Sequence, residues 1–126
     1  MPIPQNEANN LNRHAPEQTQ IELSEIQNGV ISNHKTVSIA SELLPPKTSE
    51  PRLISFDGVI WIVDTFSGEL VDGFWLIEMD NVISVREMYR LPGGRLRVEN
   101  GKASFECNAD DVKALGKAVG KMEFIE

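Results

Sequence analysis

The side chains able to do chemistry in this 126-residue chain are few and scattered. There is one thiol, Cys107, and two imidazoles, His14 and His34. Cys107 falls in a short alternating run and reads as a small strand residue. His14 sits in a polar N-terminal stretch, and His34 in a turn-rich loop beside Asn33 and Lys35, where a lone imidazole is a solvated side chain. No His, Cys and carboxylate grouping has metal-ligand spacing. Asp110 and Asp111 are neighbouring carboxylates that could share acid–base work, yet the pair suits the first turn of a short helical piece, where acids meet free N–H groups. Gly93-Gly94 lacks the flanking pattern of a phosphate loop and joins a strand to a strand, so no helix terminus faces an anion. What remains is a basic cluster, Arg86, Arg90, Arg95, Arg97 and Lys102. It fits a nucleic-acid face, a solvated strand face balanced by Glu87 and Glu99, or the Arg-rich rim of a protein interface. The chain holds 19 acids against 12 bases, a net charge of −7, and this acidity favours the rim over the phosphate backbone.

The elements that position these groups read as strands. Val85, Glu87 and Tyr89 share one face of a strand, with Arg86 and Met88 on the other. Leu91-Pro92-Gly93-Gly94 is a turn, and Leu96 and Val98 then alternate with Arg95 and Arg97. Upstream, Ile21 and Leu23 alternate with polar neighbours, Asn28-Gly29 is a hairpin turn, Val30-Ile31 restarts a strand, and 36–39 alternates again. Ser41 to Leu44 is one helical turn, stopped by Pro45-Pro46. Leu53 to Phe56 is a short strand. Asp57-Gly58 then turns into 59–64, an almost continuous apolar run whose β-branched residues favour a strand. Residues 74–79 form another apolar strand, Asp80-Asn81 its turn, 103–107 a strand, 110–115 a helical turn, and 116–124 a last strand. Turn signals recur every eight to twelve residues with no long helical period. The fold class is therefore mainly β: a single compact domain, residues 19–126, of short antiparallel strands in a sheet sandwich or partly open barrel, with one or two short helical turns. Residues 1–18 are polar and hold three prolines, and read as a flexible tail or linker remnant.

The single cysteine permits no disulfide within the chain, which fits a reducing compartment. There is no apolar run of about 18 residues and no signal-peptide pattern at the start. A cytoplasmic protein with no cofactor and no membrane partner is expected.

In their order, residues 58–64, 71–80, Arg90-Leu91-Pro92-Gly93-Gly94 and 112–120 resemble the C-terminal half of phage repressors, broadly the self-cleaving LexA-like kind. With Ile21-Glu22-Leu23-Ser24, Asn28-Gly29-Val30, Val37-Ser38-Ile39 and Glu42-Leu43-Leu44-Pro45 included, residues 19–123 resemble more closely the C-terminal domain of phage CI repressors that do not cleave themselves. The resemblance implies a mainly β domain that dimerises and further assembles a transcriptional repressor of a phage or prophage, the regulator of lysogeny. A separate helix-turn-helix would then read the operator.

The self-cleaving relatives use a serine activated by a neutral lysine. Carried over, the serine position falls on Ser49, in Thr48-Ser49-Glu50-Pro51, which lacks the methionine of that stretch. The lysine position falls on Arg86. A guanidinium does not give up its proton at working pH and cannot serve as the base. The resemblance thus implies a non-catalytic domain, with a degenerate LexA-like serine peptidase as the alternative.

For assembly, the candidate interface residues are Trp61, Phe66, Phe74, Trp75 and Tyr89, with Arg86, Arg95 and Arg97 at the rim. Phe74 and Trp75 are adjacent in a strand and must point to opposite faces; one fills the core and the other must be covered by something else. Open sheet edges offer a second route, by strand addition across a two-fold axis. The expected partner is the chain itself, with DNA reached only through a separate domain. The chain starts at Met1 without a helix-turn-helix. An excised domain, a truncated repressor or a free-standing relative would fit. A free-standing copy would form mixed oligomers with an intact repressor and blunt its DNA binding.

Overall fold

The structure, a computed structural model, describes residues 17–125. The tail expected at 1–18 lies, but for its last two residues, outside them. Nine strands form one open sheet: β1 (Gln18–Gln27), β2 (Val30–Ala40), β3 (Arg52–Phe56), β4 (Val59–Asp64), β5 (Gly73–Met79), β6 (Val82–Leu91), β7 (Arg95–Asn100), β8 (Ala103–Asn108) and β9 (Lys113–Glu123). Two 3-10 turns, Ser41–Leu43 and Ala109–Asp111, complete the mainly β architecture. The spatial order is β2-β1-β3-β4-β9-β5-β6-β7-β8. Local chemistry makes the hairpins. Asn28-Gly29, Asp57-Gly58 and Asp80-Asn81 each place two successive residues at positive φ, the backbone of a type I′ turn, and each joins two antiparallel strands.

The sheet is not layered into a sandwich but curls on itself. The N–H of Ile83, in β6, donates to the carbonyl of Gly29, in the β1–β2 turn, at 2.9 Å. One cluster (Ile26, Ile54, Trp61, Val63, Leu76 and Val85) has Ile31, Ile83 and Ala118 packed against it. It draws on every strand from β2 to β6 in the spatial order, so it fills the inside of the curl. Ile60 and Ile62 point the other way and pack with Ile21, Leu53 and Met122. A third cluster holds Trp75, Ile77, Met88, Leu96 and Val98, covered by Leu70 and Phe66 from the 65–72 loop and by Val112. Burial on both faces explains the unbroken apolar run of β4.

Four local expectations need correction. His34 is not in a loop: it lies in β2, at a bulge where the register passes from Leu23↔Lys35 to Glu25↔Ser32 and Asn33 takes φ 56°. The two short runs expected around it are one strand, because the bulge absorbs the break in alternation. The helical turn near Asp110 ends at Asp111, and Lys113–Leu115 already belong to β9. Finally, β1 and β3 pair in parallel, since β2 and the Pro45-Pro46 segment carry the chain back before β3 begins.

β9 is the central strand of the curl, and a bulge bends it where Leu76 pairs with Gly116 and Ile77 with Ala114. A Cβ at Gly116 would meet Val63 Cγ1 at 2.5 Å and the Asp64 carbonyl at 3.0 Å, so only glycine fits there. The carbonyl of Leu115, at the bulge, accepts from Arg52 Nη2 at 2.9 Å.

Candidate assembly surface

Trp61 of β4 and Phe74 of β5 are two strands apart, with β9 between them. Strands so placed are about 10 Å apart, yet the two rings meet with centroids 5.0 Å apart and planes tilted by 32°. Between them β9 presents the small side chain of Ala118, which lines the same hollow. The pair lies on the inner face of the curl, at the end of β5 away from the closed corner. Trp61 is 9% exposed and Phe74 36%. The indole N–H of Trp61 is buried and has no acceptor among the described residues.

Two shallow hollows flank the pair. One, of about 260 Å³, is lined by Trp61, Phe74, Val119 and Lys121. The other, of about 200 Å³, is lined by Phe56, Val59, Trp61, Phe74, Arg86 and Glu99 among others. Cations roof the aromatic rings: Lys121 Nζ lies 5.7 Å from the Trp61 ring centre, and Arg86 Cζ 5.3 Å from that of Phe56. The patch is an aromatic centre with basic flanks.

Trp75 and Phe66 do not belong to it. Trp75 is fully buried on the opposite face of β5, its indole donates to the Val71 carbonyl at 2.8 Å, and Phe66 packs edge-on against it at 4.4 Å. Trp75 is a core residue of the covered face, and the half-buried Phe66 packs against it. Of the two neighbours in β5, Trp75 fills the core and Phe74 surfaces. Phe56, Val119 and Lys121 were not among the expected residues. Their place depends on the pairing of β3, β4 and β9, which no local pattern announces.

Arg95 and Arg97, both of β7, are matched by acids. Arg95 Nε lies 3.6 Å from Glu106 and Arg97 Nε 3.1 Å from Glu99. Tyr89 is opposite Arg97 across the ladder and 36% exposed. Its phenol is pushed above its usual range, first by a hydrogen bond with Glu87 and then by partial burial and the nearby acids. Arg90, of the Arg-Leu-Pro-Gly turn, serves the covered face. Its guanidinium donates to the Leu70 carbonyl at 2.9 Å, and its backbone N–H donates to Asp72 at 2.8 Å, pinning the 65–72 loop.

Ser49 and Arg86 are not brought together. The N–H groups of Ser49, Glu50 and Thr65 donate to the carboxylate of Asp64, at the end of β4. Arg86 lies over Phe56, beside the opposite end of β4. Six residues of strand, about 16 Å, separate the two ends. Burial raises the Asp64 carboxyl, but the three backbone donors together outweigh it and hold the group below its usual range. Burial, and then Asp111, push the Cys107 thiol up against the pull of Arg95, which disfavours a reactive thiolate. Among the described residues no group of His, Cys, Asp and Glu could hold a metal ion, and no helix is long and apolar enough to cross a membrane.

Residues 20–120 match the family described as the bacteriophage CI repressor C-terminal domain. The chain is similar to the repressor protein CI of Escherichia phage 186, with 34% identity over 109 residues, 86% of this chain and 56% of that protein. It is also similar to the protein ORFi in retron Ec67 of Escherichia coli, with 35% identity over 75 residues, 60% of this chain and 38% of the relative. A third relative is the repressor protein CI of Haemophilus phage HP1 (strain HP1c1), 43% identical over 56 residues, 44% of this chain and 29% of the relative. The chain thus spans about half the length of the first of these curated relatives and less of the other two.

Proposed function

Because the chain belongs to the bacteriophage CI repressor C-terminal domain family, we propose that it is a non-catalytic self-association module of a phage or prophage repressor, acting in the cytoplasm. The observation that carries the proposal is the Trp61–Phe74 pair. A phenylalanine stacked on a tryptophan stays 36% exposed beside Val119, with cations at its flanks. Exposed aromatic anchors of this kind are what a second protein surface covers. In a repressor that carries a DNA-binding part, such a module raises operator affinity by making the second DNA contact effectively intramolecular. The pairing of Arg95 and Arg97 with acids supports a role away from the phosphate backbone.

Sedimentation velocity over a concentration series tests the proposal. The wild-type chain is expected as a dimer or larger species, and Phe74→Glu is expected to raise the dissociation constant at least about tenfold. A wild-type chain that stays monomeric at high concentration overturns the reading. The non-catalytic half rests on Arg86, which cannot act as a base, and on its distance from Ser49. Incubation at alkaline pH is expected to leave the mass unchanged, and a cleavage fragment would overturn it.

A further inference from the structure

The two outer strands of the sheet, β2 and β8, are not equivalent. β2 carries a bulge with Asn33 at positive φ, exposes Lys35 at its middle, and has the turn that starts it bonded to β6. A bulge and a lysine are the devices that stop an edge from pairing with another chain. β8 has none of them. Its register with β7 is regular from Arg95↔Asn108 to Asn100↔Ala103, and five of its six residues are exposed. Its only charge, Glu106, lies 3.6 Å from Arg95. Both ends are fixed, one by the Gly101-Lys102 turn and the other by the Ala109 N–H, which donates to the Gly94 carbonyl at 2.8 Å.

The hairpin geometry says which backbone groups of β8 are free. The turn has two residues, with Gly101 at φ 62°, so the pair that closes it, Asn100 and Ala103, exchanges hydrogen bonds. Alternation then directs the N–H and C=O of Phe105 and Cys107 toward β7, and those of Ser104 and Glu106 outward. Phe105 itself is 40% exposed.

We propose that β8 is a homotypic pairing edge: two copies of this chain join their β8 strands antiparallel across a two-fold axis at Phe105, forming one continuous sheet. This deepens the self-association reading and rests on it. With the axis at Phe105, Ser104 of each copy lies opposite Glu106 of the other and the two exchange backbone hydrogen bonds, about four in all. The two Phe105 side chains meet as a non-hydrogen-bonded cross-strand pair, which covers the aromatic surface each leaves open alone. Moving the axis by one residue, to Glu106, would set two carboxylates face to face. The chain's net charge of −7 makes the nearly neutral β8 a favourable place for two copies to meet.

Two variants of the full chain test the axis. Ser104→Pro removes an outward N–H that the internal ladder does not use. It is expected to keep the wild-type circular dichroism spectrum while raising the dissociation constant by sedimentation about tenfold or more. Phe105→Cys, in a Cys107→Ser background, is expected to form a covalent dimer on mild oxidation, because facing residues in such a pair lie about 4.5–5.5 Å apart, within disulfide reach. Ser38→Cys in the same background, on β2, is expected to form no covalent dimer under those conditions. If the wild-type chain is a monomer, the self-association reading falls and this proposal with it. If the wild-type chain associates, but Ser104→Pro associates equally well or Phe105→Cys does not cross-link, only the β8 edge is refuted. Should Ser104→Pro fail to fold, the cross-linking result decides alone.

Discussion

β5 carries two aromatic pairs back to back, and they have opposite fates. On one face Trp75 is fully buried, its indole N–H bonded to the Val71 carbonyl and its ring met edge-on by Phe66. On the other, Phe74 stacks on Trp61 yet stays 36% exposed, and the Trp61 N–H has no acceptor among the described residues. The strands under both pairs are similar; what differs is the lid. The 65–72 loop lies over Trp75, held by Arg90 through Leu70 and Asp72. No segment of the described chain closes over Phe74. The covered pair completes the folded chain, while the open pair is the face that the proposed self-association would cover.

The largest expected effect comes from breaking the covered side. Trp75→Ala removes a fully buried indole and is expected to destabilise the fold by about 3–5 kcal/mol, read as a large drop in melting temperature. Phe74→Ala removes a ring of similar kind from the open side and is expected to cost only about 1 kcal/mol, close to its loss of stacking. Its effect should fall on association instead. If both variants lower the melting temperature equally, the distinction between the faces is wrong. A smaller effect tests the lid itself. Arg90→Ala should cost about 1–2 kcal/mol. It should also raise protease cutting within 65–72, while leaving the dissociation constant of the assembly unchanged.

Some of this arrangement was legible in the residues. Asn28-Gly29, Asp57-Gly58 and Asp80-Asn81 named three hairpin turns, because positive φ at successive positions is a local demand met by local residue types. The run from Val59 to Asp64 announced a strand buried on both faces. Adjacency alone required Phe74 and Trp75 to point apart, but not which would surface. That choice depends on where the 65–72 loop folds back, a contact between segments far apart in sequence. The same limit hid the parallel β1–β3 pairing, the bulge that places His34 in a strand, and the joining of Phe56, Val119 and Lys121 around Trp61. Pattern within a strand sets its faces, whereas the neighbours on each face come from pairing across the sheet.

The finest probe of the comparison is pH, because the lid begins at a carboxylate. Asp64 ends β4 and accepts from the N–H groups of Ser49, Glu50 and Thr65, so it fixes the first step of the loop that covers Trp75. Its folded pKa lies below its unfolded value of 3.8: burial pushes it up, but the three backbone donors together push it further down. A group with a depressed folded pKa contributes stability that is fully present above the unfolded value. That contribution is lost as the pH falls through the folded value. The stability difference between wild type and Asp64→Asn should therefore be constant near neutral pH and shrink below about pH 4. A Trp61→Phe background leaves Trp75 as the only indole, and its fluorescence should then report the covered face loosening in acid while Asp64→Asn loses that response. A difference that stays constant from neutral pH down to about pH 2 would mean that Asp64 does not hold the lid through its charge. The closed face would then owe its cover to the Arg90 hydrogen bonds and the packing of Phe66 and Leu70.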